Sequence, residues 1–592
     1  MFFNKNSQIK KTDKILTIGK IVIIGFIGIY LIGNFTPYFE GEDSFLYGLS
    51  AKNFAEGKFS ISNELLQEYG RDEFTGGNWL KTIDNTAVPV AGIGLSLLGA
   101  LFYFVAGEYG LFYLSPICAI ILLIVTERIS SNLFGKYVGF LTLLIMASSN
   151  LLIRNTVRFQ TEAFFSLLII IGVFLLIKYL RTKNNYILLA SSSLLTFSAT
   201  VRIIGFTFFP IELIIILGYV IYNLRTRGNT NLKNGKKLKI KLSKKQIVKT
   251  FVIVLIPWMI FFGWWTDYNE KNFGDPLTNY GQQSQLKKYE TSPLSLIEFE
   301  NEDFENIKYY SKYLLPYQIP AIQHNIGENS EILGENWLGI VALLAICATI
   351  GISFYKKNKR LEVIVLIIFI LGMLWFYSAI TTAERAEKGA PARFMLPAFT
   401  MSSMLFSFFI VNIFEANFKI HSVKNKSILR SLKIILISSL VLFFLLAFYF
   451  SPPVKSIIDE KYEFKDPRIL SDRYPLEMEG LTENSIIIAK QLDWAIDYGV
   501  TPFSIRVGSE ISLDSVSLLK EILENGKEVY IFKDPTESDE KEMFVKLVNQ
   551  HNIIFKDFSP TFCKVELNIQ GKAINNVDKV CITEPKIKNV DK

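Results

Sequence analysis

The chain has 592 residues, half of them hydrophobic and 14% aromatic, with 63 Lys and Arg against 55 Asp and Glu for a formal charge of +8. That balance excludes an ordinary soluble globule and requires the apolar residues to be clustered. The positive charge does not point to nucleic acid, because Lys and Arg are concentrated in short connectors between apolar runs, where basic residues orient membrane proteins; four cysteines are too few for a disulfide scaffold.

The first fourteen residues carry Lys5, Lys10, Lys11 and Lys14 ahead of the apolar run 21–35. That run is longer than a signal-peptide core and no small-residue cleavage site follows it, so it reads as a retained anchor. Spans are predicted at 15–34, 110–126, 137–153, 163–180, 186–201, 203–222, 248–265, 336–354, 361–380, 394–414 and 432–451, about eleven helices long enough for ~30 Å of hydrocarbon. Cys118 and Cys347 fall inside spans, where a cysteine is a small hydrophobe.

The apolar stretch 88–106 is treated separately. If it spans, the loop 224–250, with ten basic residues and no acidic one, lies outside, against the positive-inside rule. If it lies along the outer surface or re-enters, the basic loops around Arg128 and Lys136, Arg181 and Lys183, 224–250, 356–360 and 419–433 all face the cytoplasm. The loops 35–109, 154–162, 266–335 and 381–393 and the tail from 453 then lie outside, and Trp258, Trp264 and Trp265 form an interfacial belt.

The expected organisation is a cytoplasmic N-terminus (1–14), a transmembrane domain (15–451) with its first outer loop at 35–109 and another at 266–335, and an extracytoplasmic α/β domain (452–592). In that tail 485–489, 528–532 and 552–555 are strand-like, while 513–524 and 540–550 have helical apolar spacing. Cys563 and Cys581 lie there and can form a disulfide if the domain is outside the cytoplasm.

Ionisable groups at the outer ends of spans are costly near hydrocarbon and tend to face a cavity, a partner or a substrate. Glu42 and Asp43 follow the first span and precede a helix-like segment, where the plain role of Asp43 is a helix cap. Arg154, Arg158 and Glu162 flank the third-to-fourth span junction, where snorkelling and a helix-start acid are the plain roles. Arg202 is stranded between two apolar runs, and Arg385 and Arg393 precede the tenth span. Acids beside arginines on one face suit a general base and a forked phosphate clamp.

With Asp43, Tyr47 and Ala51-Lys52-Asn53 after the first span, the proline-led stretch 89–107, Thr161-Glu162 before the fourth, Arg202-Ile203-Ile204-Gly205 after the fifth and Arg393-Phe394-Met395-Leu396-Pro397 at a late one, the chain resembles the GT-C superfamily of membrane glycosyltransferases. It looks most like the branch of protein O-mannosyltransferases and lipid A aminoarabinose transferases, over roughly residues 15 to 415. It departs from the pattern at Ser44, where a second acid is usual and Glu42 is the available substitute, at Glu162, where Asp is commoner, and in the stretch 89–107, which lacks the usual double proline.

The resemblance implies a GT-C-like polytopic helical fold in the plasma membrane and a donor sugar on a polyprenyl or dolichyl phosphate, transferred on the outer face to a protein, glycan or lipid acceptor. It further implies an inverting single displacement by a mannosyltransferase-like hexosyltransferase. Asp43 would serve as base, Glu162 would hold the acceptor or a divalent metal, and Arg158, Arg202, Arg385 and Arg393 would neutralise the departing lipid phosphate. No cofactor is required by the sequence. His324 and His551 are solvated loop histidines in the plain reading, and the tyrosines of the 272–335 loop cover the pocket or stack on sugar. The alternatives are a secondary transporter, which would carry charges near the membrane midplane, and a non-catalytic scaffold with a C-terminal binding domain. An asparagine-directed oligosaccharyltransferase is a nearer alternative, without its tryptophan-rich signature after 453.

Overall fold

The structure, a computed structural model, describes residues 4–35, 42–60, 80–83, 86–89, 93–225, 244–273, 348–352, 359–380, 390–420, 485–488, 501–503, 506–507, 510–511, 513–532, 553–557 and 562–567, with a few single positions between them. The chain separates into two compact units, one of residues 1–37 and 91–459, the other of 38–90 and 460–592. Most of the first outer loop, assigned from sequence to the membrane domain, therefore groups with the tail.

The first unit is an α-helical bundle: α1 (Asn4–Gly33), α3 (Gly94–Phe134), α4 (Lys136–Ala147), α5 (Asn150–Thr156), α6 (Glu162–Thr182), α7 (Asn185–Val201), α8 (Phe208–Arg225), α9 (Lys244–Phe273), α10 (Arg360–Ile380) and α11 (Leu396–Ile420). Among the described residues seven helices are long and apolar enough to cross a membrane, and α4 and α7 are shorter apolar ones. This is an integral membrane protein. The predicted spans 336–354 and 432–451 lie almost wholly outside the described residues. The single span expected at 137–153 is instead broken, since α4 ends at Ala147 and α5 begins at Asn150.

The stretch 88–106 enters a helix that bends before its long second arm. Helix α3 is interrupted at Ala106 (φ −136°, ψ 16°) and Gly107 (φ 60°, ψ −147°). A Cβ on Gly110 would collide with the Phe102 carbonyl, whereas eight residues of straight helix would hold the two about 12 Å apart; the two arms fold sharply against each other. The first arm, 94–105, is about 18 Å long, too short to cross ~30 Å of hydrocarbon. It buries Leu95, Gly99 and Ala100 and exposes Leu97, Leu101, Phe104 and Val105, an apolar outer face at helical spacing.

Close packing uses small residues, as expected where lipid removes the hydrophobic drive between helices. A Cβ on Gly172 would stand 2.9 Å from Leu195, and Ser191 Oγ donates to the Gly172 carbonyl at 2.8 Å, joining α6 to α7. Their link is short: Lys183 takes the left-handed conformation (φ 57°) that ends α6, and Asn184 caps α7 by accepting from the Tyr186 amide at 3.0 Å.

Ion pairs mark the two ends of this bundle. Toward the C-termini of α3 and α6, Lys20 pairs with buried Glu127, Arg181 with buried Glu362, Lys136 with Asp13, and Lys359 donates to the Leu133 carbonyl. At the opposite end, where α6 and α11 begin and α7 finishes, Glu162, Arg202 and Arg393 meet.

The second unit contains α2 (Glu42–Ala55), the antiparallel hairpin β1 (Leu80–Ile83) and β2 (Thr86–Pro89), and strands β3 (Ile486–Ile488), β4 (Thr501–Phe503), β5 (Arg506–Val507), β6 (Glu510–Ile511), β7 (Val529–Phe532), β8 (Ile553–Asp557) and β9 (Phe562–Leu567), with α12 (Leu513–Glu524). One sheet runs in the order β4-β3-β7-β9-β8, with β3 parallel to β4 and β7 and β9 antiparallel to β7 and β8. Val529, Tyr530 and Ile531 are all buried, so β7 is covered on both faces; Val516, Leu519 and Ile522 form the apolar stripe of α12. Lys527 pairs with Glu68 at 3.2 Å, tying the 38–90 segment to the tail. Of these, β3, β7 and β8 fall on the predicted strands and α12 on the helix predicted at 513–524, the other strands were not predicted, and the helix expected at 540–550 lies outside the described residues.

Candidate functional site

The site grows from the connector between α5 and α6. Phe159 is buried, and Ser115 of α3 clamps the next residue, its hydroxyl donating to the Gln160 carbonyl and accepting from the Gln160 amide, both at 2.9 Å. Thr161 stands at the N-cap position of α6, yet its hydroxyl makes no capping bond. It accepts instead from Arg202 Nη1 at 2.7 Å.

Glu162 follows in the first turn of α6, where the helix dipole favours an anion, and is 2% exposed. Its Oε1 accepts from the same Arg202 Nη1 at 2.7 Å and lies 3.4 Å from Arg393 Nε. Among the described residues its Oε2 accepts no hydrogen bond. One buried carboxylate thus holds two guanidinia, and the three groups together carry a net charge of +1.

Local structure delivers both arginines. Arg202 is extended (φ −147°, ψ 137°) between α7 and the tight turn Ile203–Thr207, and the Gly205 amide closes on the Arg202 carbonyl at 2.8 Å. A Cβ on Gly205 would overlap the Ala199 backbone, and one on Gly94 would overlap Thr200 and Val201; both glycines permit close approach beside Arg202. Arg393 lies in the turn Ala390–Met395 that leads into α11. Beside it the Phe394 ring sits under Arg202, with Cζ 3.8 Å from the ring centroid, and Arg393 Cζ is 5.0 Å away. Tyr377 of α10 stacks on Phe394, centroids 5.6 Å apart and planes 21° apart.

Three of the residues singled out from sequence are therefore brought together: Glu162, Arg202 and Arg393. Arg158 is half-buried on the same connector. Glu42 and Asp43 lie in the first turn of α2 in the second unit. Arg385, Cys581, His324, His551 and the 272–335 loop tyrosines lie outside the described residues. Cys563 is in β9, in register with Ile531 and Asp557, and Cys118 is buried in α3 as expected.

Sequence reasoning passed over Glu212. It is fully buried in α8, accepting from Ser192 Oγ of α7 at 2.6 Å and from Trp258 Nε1 of α9 at 3.3 Å. The signal was present, a single acid within the apolar run 203–222. Trp258 is accordingly a core residue and not part of an interfacial belt, while Trp264 is partly exposed and packs with Trp265 and Tyr268. The sequence also did not single out Phe394 as an arginine platform.

No protein-family model and no curated protein sequence matches the chain. Solved structures do. ArnT from Cupriavidus metallidurans bound to undecaprenyl phosphate superposes with a TM-score of 0.55 at 10% identity, covering 93% of this chain and 98% of ArnT, and the apo form gives 0.52 at 11% with the same coverage. The apo oligosaccharyltransferase of Archaeoglobus fulgidus reaches 0.49 at 12%, covering 92% of this chain and 72% of that one. The chain has the fold of the GT-C membrane glycosyltransferases.

Proposed function

We propose that this protein is a membrane glycosyltransferase that takes a sugar from a polyprenyl or dolichyl phosphate and passes it to a polar acceptor. The observation that carries the proposal is the Glu162, Arg202 and Arg393 cluster at one end of a bundle with the ArnT fold. ArnT itself is seen with undecaprenyl phosphate. A site built on Arg and partly shielded from water suits a departing phosphate, because guanidinium donors match its oxygens in pairs and act strongly where water is excluded.

In this mechanism Arg202 and Arg393, with Arg158 and Arg385 nearby in sequence, hold the lipid phosphate. Asp43, with Glu42 as substitute second acid, takes the proton of the acceptor as the acceptor oxygen or nitrogen attacks the anomeric carbon. The sugar–phosphate bond breaks on the opposite side, so the configuration inverts and the lipid phosphate leaves. Glu162 acts through the arginines. A divalent metal does not fit at its carboxylate, since the ion would face two guanidinia within 3.4 Å of the same oxygen. The loop charges support a cytoplasmic N-terminus, with the site and the tail domain outside the plasma membrane. The hexose, mannose or another, and the protein, glycan or lipid acceptor define the remaining specificity.

The test is release of radiolabelled sugar from a panel of polyprenyl-phosphate sugars by purified protein with an envelope acceptor fraction. Asp43→Asn is expected to lower turnover by about 10²- to 10⁴-fold, the range of general-base help, without loss of membrane insertion. Wild-type turnover in the Asp43 variant would remove the base from the mechanism. A secondary transporter is the second reading, favoured by Glu212, a carboxylate buried within a span; substrate uptake into proteoliposomes without any sugar transfer would establish it.

A further inference from the structure

Among the described residues, the guanidinium of Arg202 meets two different kinds of contact. Nη1 donates in its own plane to Thr161 and Glu162, both at 2.7 Å, which sets the rotation of the group within that plane. Cζ lies over the Phe394 ring, 3.8 Å from its centroid, a contact close enough to restrict the tilt. Stacking engages none of the five N–H donors, all of which lie in the guanidinium plane. A ring therefore holds an arginine by attraction without consuming its hydrogen-bonding capacity.

Phe394 is itself braced. Tyr377, 3% exposed on α10, stacks on it at 5.6 Å, and Met395 and Leu396, the next two residues, are fully buried. The same ring lies 5.0 Å from Arg393 Cζ, so one phenyl group stands beside both cations of the cluster.

We propose that Phe394, backed by Tyr377, is a positioning residue that orients Arg202 for a phosphate monoester or diester headgroup. It acts through the arginine and touches no reacting atom. The inference rests on the proposed function above, which supplies the phosphate ligand.

The experiment measures equilibrium binding of undecaprenyl phosphate, with undecaprenol as the uncharged control, to full-length protein in nanodiscs. Wild type, Phe394→Leu, Phe394→Tyr and Tyr377→Leu are compared, each with its thermal unfolding midpoint. Phe394→Leu is expected to weaken undecaprenyl phosphate binding roughly five- to thirty-fold, the value of a desolvated cation–ring contact, while undecaprenol binding is unchanged. Tyr377→Leu should fall between the two, and Phe394→Tyr should restore binding to within about twofold, since a phenol presents the same face. Unchanged affinity in Phe394→Leu, or equal loss for both lipids, would overturn the platform and leave Phe394 a packing residue. Failure of wild type to prefer undecaprenyl phosphate over undecaprenol would instead remove the phosphate site, and the proposed function with it.

Discussion

The two ends of the helical bundle treat buried carboxylates differently. At the Arg181 end, Glu127 has Lys20 and Glu362 has Arg181, with the more exposed Arg128 3.8 Å from Glu127. At the Arg202 end a single carboxylate, Glu162, holds two guanidinia, one of them stacked on an aromatic ring. Chiefly one-to-one pairs cancel charge and satisfy buried groups, which is architecture. At the other end one buried carboxylate gathers two guanidinia in a partly dry setting, an arrangement that presents several fixed N–H donors together. Under the proposed function, the contrast separates an end built for stability from an end built for the lipid phosphate.

The sharpest way to break that division is Arg202→Lys. The charge opposite Glu162 survives, but the planar fork and the stack do not; we expect use of the lipid-phosphate donor to fall about 100-fold with little change in unfolding midpoint. A matching drop in stability would mean that this end, too, is architecture. Next comes Lys20→Ala, which takes the nearest cation from buried Glu127 and leaves it Ser131 at 2.6 Å and the exposed Arg128 at 3.8 Å. It should destabilise by about 3 kcal/mol, seen as a lower midpoint in detergent, while activity per folded molecule is kept; lost donor affinity would join the two ends functionally.

Gly205→Val sharpens the comparison locally, because its side chain must displace the Ala199 backbone beside Arg202. Overpacking of about 1–3 kcal/mol is expected together with weaker donor binding, measured on the same sample. A smaller effect, about 1 kcal/mol, is expected for Glu212→Gln, which keeps an acceptor for Ser192 but turns an N–H toward the Trp258 indole N–H.

The smallest effect belongs to the second unit. Lys564 bonds Glu528 at 2.7 Å on the surface of the sheet and holds its carboxyl below the ordinary carboxylate range. Burial, joined by the neighbouring Glu528 charge, pushes the Tyr530 hydroxyl up to about 12. Because the folded-state value of Glu528 is lowered, its contribution is present above the unfolded-state value and disappears as pH falls through the folded one. Lys564→Ala should therefore cost under about 1 kcal/mol at neutral pH, and the difference from wild type in thermal unfolding should close under acid conditions.

Much of this architecture was legible in the chain because membrane insertion writes itself in long apolar runs and in the distribution of basic residues. The spans at 163–180, 186–201, 361–380 and 394–414 coincide closely with helices. The stretch 88–106, set apart from the spans by ten basic residues in a distant loop, ends in a bend at Ala106 and Gly107. The break at Ser148-Ser149 was not legible, because periodicity averages over a short interruption. Nor was the grouping of 38–90 with the tail, which depends on contacts across hundreds of residues.

The site divides in the same way. Sequence alone marked Glu162, Arg202 and Arg393 as charges at helix ends, since a charge beside a hydrophobic run is conspicuous whatever the fold. Only the tertiary structure decided that one carboxylate takes both arginines, that Thr161 spends its hydroxyl on Arg202 in place of a cap, and that Phe394 lies under the guanidinium. Those facts depend on three helix ends meeting at distances of a few ångströms, and the strength of a hydrogen bond or ring contact falls off over less than that. The pattern of the chain can place a charge at the end of a helix; the packing of the bundle chooses its partner.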